Sequence, residues 1–134
     1  MSWVEIFAVF VVSHAVGDYL LQTDSQATHK RGGLGSDYDS RVALLSHVSV
    51  YTLSFVPALI WLSDHGLNFG GVLLVAAGIF LPHMVQDDGR LLSGYLRTVK
   101  RCDEESEREI FTAVDQSFHL VTLFATALIV HGAI

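Results

Sequence analysis

The chain has 134 residues, 51% of them hydrophobic and only 16% charged, with a formal net charge of −6. Together with a mean hydropathy of +0.44, this balance sets it with membrane proteins rather than soluble enzymes and leaves no room for a second domain. It also argues against a nucleic-acid binder, because the basic residues share their segments with Asp and Glu and form no net basic surface.

Residues 3–21 are expected to form the first membrane span. The apolar run from Trp3 to Val12 has no basic residue ahead of it and contains Glu5, unlike a cleaved signal peptide. Residues 22–41 are polar, with Gly32, Gly33 and Gly35 close together, and read as a loop of no predictable form. Residues 42–63 and 69–85 give the second and third spans, joined by a tight connection. In residues 88–109, Leu91, Leu92, Tyr95, Leu96 and Val99 recur at helical spacing against Arg97, Lys100 and Arg101. That pattern predicts a short amphipathic helix on the membrane surface, with a helical hairpin over the bundle end as the alternative. Residues 110–131 complete the set, and each apolar segment is long enough to approach the roughly 20 residues a bilayer core requires. The expected fold is all-α: an integral membrane four-helix bundle running up-down-up-down, one domain over residues 1–134, with a short interfacial helix between spans three and four. Oligomeric state is left open.

All basic residues lie between Lys30 and Arg108, in the two longer connections. The positive-inside rule therefore places both connections in the cytoplasm and both termini on the opposite side of the inner membrane. Cys102, the only cysteine, permits neither an intrachain disulfide nor a thiolate metal site and suits a cytosolic face.

Within these spans His14 pairs with Asp18, His83 with Asp87, and Asp115 with His119, each four residues apart and so stacked on one helix face. His47 adds a further group from the second span. Ionisable groups in hydrocarbon cost roughly 3 kcal/mol each, so they persist mainly where they pair, line a wet cavity or hold an ion. With the spans alternating in direction, all of these residues fall near the cytoplasmic ends, at one level. Imidazole and carboxylate are ligands of zinc, manganese or iron, and inward-facing sets from several helices are how bundles build metal sites. The candidate ligands are His14, Asp18, His47, His83, Asp87, Asp115 and His119; they exceed one tetrahedral shell, so two ions are bound or some residues orient the others. Asp18, Asp87 and Asp115 are the candidate catalytic carboxylates. His29, His65 and His131 read as solvated surface. Pro82 is expected to kink the third span and free the carbonyl near Gly78, whereas Pro57 reads as a bend absorbed by packing. Gly17, Gln22, Tyr51 and Gln116 lie near enough in level to contact substrate, and Asp88 with Arg90 forms either a headgroup contact or a solvated charge pair.

The stretch from His14 through Gly17, Asp18, Tyr19 and Gln22 to Asp24, followed by Lys30, His47 with Tyr51, His83 with Asp87, and Asp115-Gln116 with His119, resembles an uncharacterised bacterial and phage membrane family. That family is the domain of unknown function numbered three three zero seven. The resemblance covers nearly the whole chain and implies membrane topology and this ligand set, with no substrate. In architecture alone the chain is also similar to the membrane-bound metal-dependent hydrolases.

The expectation is a metal-dependent membrane hydrolase acting on an ester or phosphoester, lipid or lipid-linked, at the cytoplasmic leaflet of the bilayer. Zinc is its first-choice ion, with manganese or iron behind it. A proton- or metal-coupled transporter, a di-iron membrane oxidase and a noncatalytic membrane anchor are the alternatives.

Overall fold

The computed structural model describes residues 1–101 and 108–134, which form helices and turns with no strand among them. Cys102, and the free thiol expected there, lies outside the described residues.

Helix α1, Trp3–Ala15, starts at a capping box: Ser2 Oγ accepts from the Glu5 N–H, and Glu5 Oε2 accepts from the Ser2 N–H at 2.7 Å. A π-turn, Val16–Leu20, continues it, with the Leu21 N–H donating five residues back to the Val16 carbonyl at 3.0 Å. The segment expected to be irregular contains a short helix, α2, Asp24–His29, capped by Thr23 and tied to the next helix through Gln26 Nε2, which donates to Ser46 Oγ. Helix α3 covers Tyr38–Ser54; Asp37 caps it by accepting from the Ser40 N–H, which is why it starts ahead of the apolar run at Val42.

Pro57 marks a break between two helices rather than a bend within one. Helix α3 stops before Phe55 and α4, Val56–Asp64, resumes after it, because Pro57 has no N–H to donate to the Leu53 carbonyl and its ring crowds that turn. Pro82 instead sits inside α5, which runs unbroken over Phe69–Asp87. Gly89, at φ 78°, ends α5 and turns the chain into α6, Arg90–Tyr95, a backbone angle that a Cβ would strain. A second π-turn, Leu96–Lys100, extends α6, and α7 spans Arg108–His131. The amphipathic segment is thus helical, but its apolar face is divided. Leu92 and Leu96 pack on Phe111, and Tyr95 meets Phe118 edge-on, while Leu91 and Val99 stay exposed.

Four stretches are long and apolar enough to cross a membrane: Trp3–Leu20, Tyr38–Asp64, Phe69–Asp87 and Glu109–His131. Helix α1 packs on α7, α7 on α5 and α5 on α3, while the π-turn after α1 packs on α3 and closes the ring. Successive spans run in opposite directions. Trp3 and Phe7 both meet Phe124 edge-on, His131 Nδ1 donates to the Met1 carbonyl, and so both termini sit at one end. Around that end Ile6, Phe10, Phe55, Ala58, Leu62, Ile79, Leu123 and Ala127 form a continuous apolar core. Outward-facing Val12, Ile60, Leu74, Val121 and Ile129 are exposed, so the spans are apolar outside as well as inside, which is the pattern of helices meant for lipid rather than water.

Candidate metal centre

The opposite end of the ring is polar. Asp18 comes from the π-turn after α1, His47 from α3, His83 and Asp87 from α5, and His119 from α7; all are buried, His47 completely. Asp87 is the hub. Its Oδ2 lies 2.8 Å from His47 Nε2, 3.1 Å from His83 Nε2 and 2.9 Å from Lys30 Nζ, while its Oδ1 lies 3.5 Å from His119 Nε2. Asp18 Oδ1 stands 3.3 Å from His47 Nε2 and 3.5 Å from His83 Nε2, and those two imidazole nitrogens are 3.1 Å apart.

These separations carry chemical information. Ligands bonded to one ion at about 2.0–2.2 Å stand roughly 3–3.5 Å from each other, which is the spacing of Asp18 Oδ1, His47 Nε2 and His83 Nε2. Two overlapping triads have mutually close ligand atoms, Asp18–His47–His83 and His83–Asp87–His119, each with every pair within 4.8 Å. Hydrogen bonding alone accounts poorly for the same atoms. At most one proton fits between two Nε2 atoms, and Asp18 Oδ1 and His119 Nε2 are buried without a hydrogen bond of sound geometry among the described residues. A cation held among them would satisfy both, so the donor set fits a divalent metal.

Neighbouring groups aim the ligands. His119 Nδ1 donates to the Asp115 carbonyl at 2.8 Å, which leaves the Nε2 lone pair directed at Asp87 and the other imidazoles. The His83 ring lies flat on Tyr51, with centroids 3.4 Å apart at 5°. Tyr51 is in turn pressed against Gly17, where a Cβ would sit 2.6 Å from its Cδ2, so only glycine lets the first and second spans approach this closely. Beside that contact Ser54 Oγ donates to the Ser13 carbonyl at 2.8 Å.

The sequence-predicted residues are therefore not equivalent. Asp18, His47, His83, Asp87 and His119 converge. His14 is buried one layer back with both nitrogens engaged: Nε2 donates to Gln116 Oε1 at 3.0 Å, and Nδ1 accepts from the Tyr51 hydroxyl at 3.0 Å. The i,i+4 partners stay close, with His14 Nδ1 3.5 Å from Asp18 Oδ2, but only Asp18 reaches on to His47 and His83. Asp115 is half-buried, its Oδ1 3.9 Å from His119 Nδ1, and it lines the adjoining cavity instead. His29 and His65 are exposed, as expected. Asp88 and Arg90 do form a charge pair, Arg90 Nε lying 3.4 Å from Asp88 Oδ2, but only Arg90 is exposed; Asp88 is buried, its Oδ1 accepts from the Leu34 N–H at 2.8 Å, and its carbonyl accepts from the Gly32 N–H, latching the 30–35 loop onto the end of α5.

A cavity of about 270 Å³ opens beside the centre, lined by Asp18, Asp87 and Asp115 together with Lys30, Arg31 and Phe111. Lys30 enters the sequence reading through the family resemblance and the charge of the first connection, but not as a site residue. Its contact with Asp87 joins positions 57 residues apart, a distance no periodicity bridges.

A helical protein with four membrane-length spans and a buried His/Asp cluster at one end is the class that fold and site define. Within it, the chain belongs to the family described as "Protein of unknown function (DUF3307)", whose model matches residues 6–133. Neither a curated protein nor a solved structure matches it.

Proposed function

We propose that this is a metal-dependent hydrolase of the inner membrane that cleaves an ester or phosphoester at the cytoplasmic leaflet, with zinc, manganese or iron at the His/Asp centre. The observation that carries the reading is the approach of His47, His83 and His119 Nε2 to the carboxylates of Asp18 and Asp87 in a buried pocket with a cavity at its side. A divalent ion held by these residues would lower the pKa of a bound water toward about 7, and Asp115, lining the cavity yet outside both triads, would be the carboxylate to take its proton. In the hydrolysis so supported, the water oxygen would bond to the carbonyl carbon or phosphorus, the ester bond to the leaving oxygen would break, and Asp115 would return the proton to that oxygen.

The orientation rests on charge. Lys30, Arg31, Arg90, Arg97, Lys100 and Arg101 belong to the connections at the site end and Arg41 to the start of α3 at that end, so the positive-inside rule turns that end, with the cavity, toward the cytoplasm and both termini away from it. Transport is the weaker reading. A path to the other face would have to cross the layer of Phe10, Phe55, Ile79 and Leu123, all buried and apolar.

Elemental analysis of detergent-purified protein tests the proposal, with hydrolysis of phosphoester and carboxylic-ester substrates measured on the same samples. Wild type is expected to hold at least one equivalent of metal and to hydrolyse one of these classes, and Asp18→Ala and His119→Ala to lose both properties. A folded wild-type protein that takes up no metal from zinc, manganese or iron overturns it.

A further inference from the structure

We infer that Lys30 and Arg31 form an anion-binding arm over the centre, which makes a phosphate ester, rather than a carboxylic ester, the substrate class. This rests on the metal-centre reading above and narrows it.

The argument starts from the neighbours of Asp87. Its Oδ2 faces His47 Nε2 and His83 Nε2 and also the Lys30 ammonium, at 2.9 Å. With its amide turned to satisfy both neighbours, Gln22 accepts from the same ammonium at 2.7 Å and donates to the Asp18 carbonyl. Lys30 is therefore the counter-ion of a ligand carboxylate, in a pocket where its side chain is only 14% exposed. A divalent ion bound by Asp87 would stand within a few ångströms of that ammonium, and one carboxylate oxygen would face two cationic partners. Like charges so close in a poorly solvated pocket repel strongly. An anion between them removes the conflict, and a phosphoryl group does so directly, one oxygen on the ion and another on the ammonium.

Arg31 adds the second cation of the arm. Its guanidinium lies 3.9 Å from the Phe111 ring centroid, a cation–π contact that holds it on the cavity wall. The arm is fixed in place, because Asp88 latches the following residues to α5. A phosphate ester brings anionic oxygens into a cavity bordered by both cations, which a neutral carboxylic ester does not, and Leu92, Phe111 and Ala27 along the same cavity give its organic part an apolar wall.

The test uses zinc-loaded protein in detergent, titrated with inorganic phosphate and, separately, with mixed micelles carrying a lipid phosphate monoester, metal content being read on every sample. Lys30→Met is expected to keep its zinc, or bind it more tightly, while its affinity for both phosphates falls at least tenfold. Lys30→Arg should restore most of that loss, and Arg31→Gln, altering an exposed residue, should weaken phosphate binding even if Lys30→Met fails to accumulate. Tighter binding of the lipid phosphate than of inorganic phosphate would identify a headgroup as the source, and equal binding a soluble phosphoester. Zinc-loaded Lys30→Met and Arg31→Gln that bind phosphate within twofold of wild type overturn the arm alone. Wild type without zinc overturns the centre and, with it, the arm.

Discussion

At the end of the bundle that holds both termini, Phe10, Phe55 and Leu62 are wholly buried and pack among apolar side chains. Farther along the same helices His47, His83 and His119 are buried just as completely, yet they face one another and two carboxylates. Depth is the same and the physics is not. In a bilayer the outside of a span is as apolar as its core, so the first region is held by shape and dispersion rather than by exclusion of water. The second region gains nothing from packing alone and depends on each polar atom finding a partner. One end is thus an apolar frame and the other a polar cluster, and burial by itself does not distinguish them.

Three substitutions break or sharpen that contrast. Asp87→Ala should act almost entirely on the polar end. It removes the group shared by His47, His83, His119 and Lys30, so metal affinity should fall by more than about a hundredfold while circular dichroism still reports a helical protein. Phe55→Ala should do the reverse. The cavity it leaves beside Phe10 should lower stability by about 3 kcal/mol, measured by denaturant titration in mixed micelles, with metal stoichiometry intact. Gly17→Ala is the smallest change and the one that crosses between the regions. The added methyl meets Tyr51 at 2.6 Å, and pushing apart the first and second spans should cost about 1–2 kcal/mol. Because Tyr51 backs the His83 ring, metal affinity should weaken with it, by severalfold; unchanged affinity would mean that the stack does not position His83.

The large-scale pattern was legible because it depends on composition and period. Four apolar segments, three His/Asp pairs at helical spacing and His47 were enough to place the spans and to bring five of the ligand candidates together at one end. What escaped depends on local hydrogen bonding or on distant contact. Nothing in the composition of residues 16–20 separates a π-turn from an α-helix; the His14–Asp18 pair that the spacing implied is present at 3.5 Å, but His14 also binds Tyr51 and Gln116 while Asp18 alone faces His47 and His83. Pro57 and Pro82 look alike in sequence, yet one lies at a helix break and the other inside a continuous helix. The short helix at 24–29 was hidden in a polar, glycine-flanked segment, although Thr23 and Gln26 form a capping box. The role of Asp88 depended on a loop whose fold could not be anticipated.

The wide turn at Val16–Leu20 has a consequence for comparing chains of this kind. It accommodates one residue more than a regular winding would, so it works as a phase shifter: hydropathy before and after is untouched, while every side chain beyond it points in a new direction. Two sequences with indistinguishable span profiles, differing by a single insertion there, would present different faces to the same neighbours, and only one would aim a carboxylate at His47 and His83. Alignment of such chains by span position alone will therefore pair residues that do not do the same job.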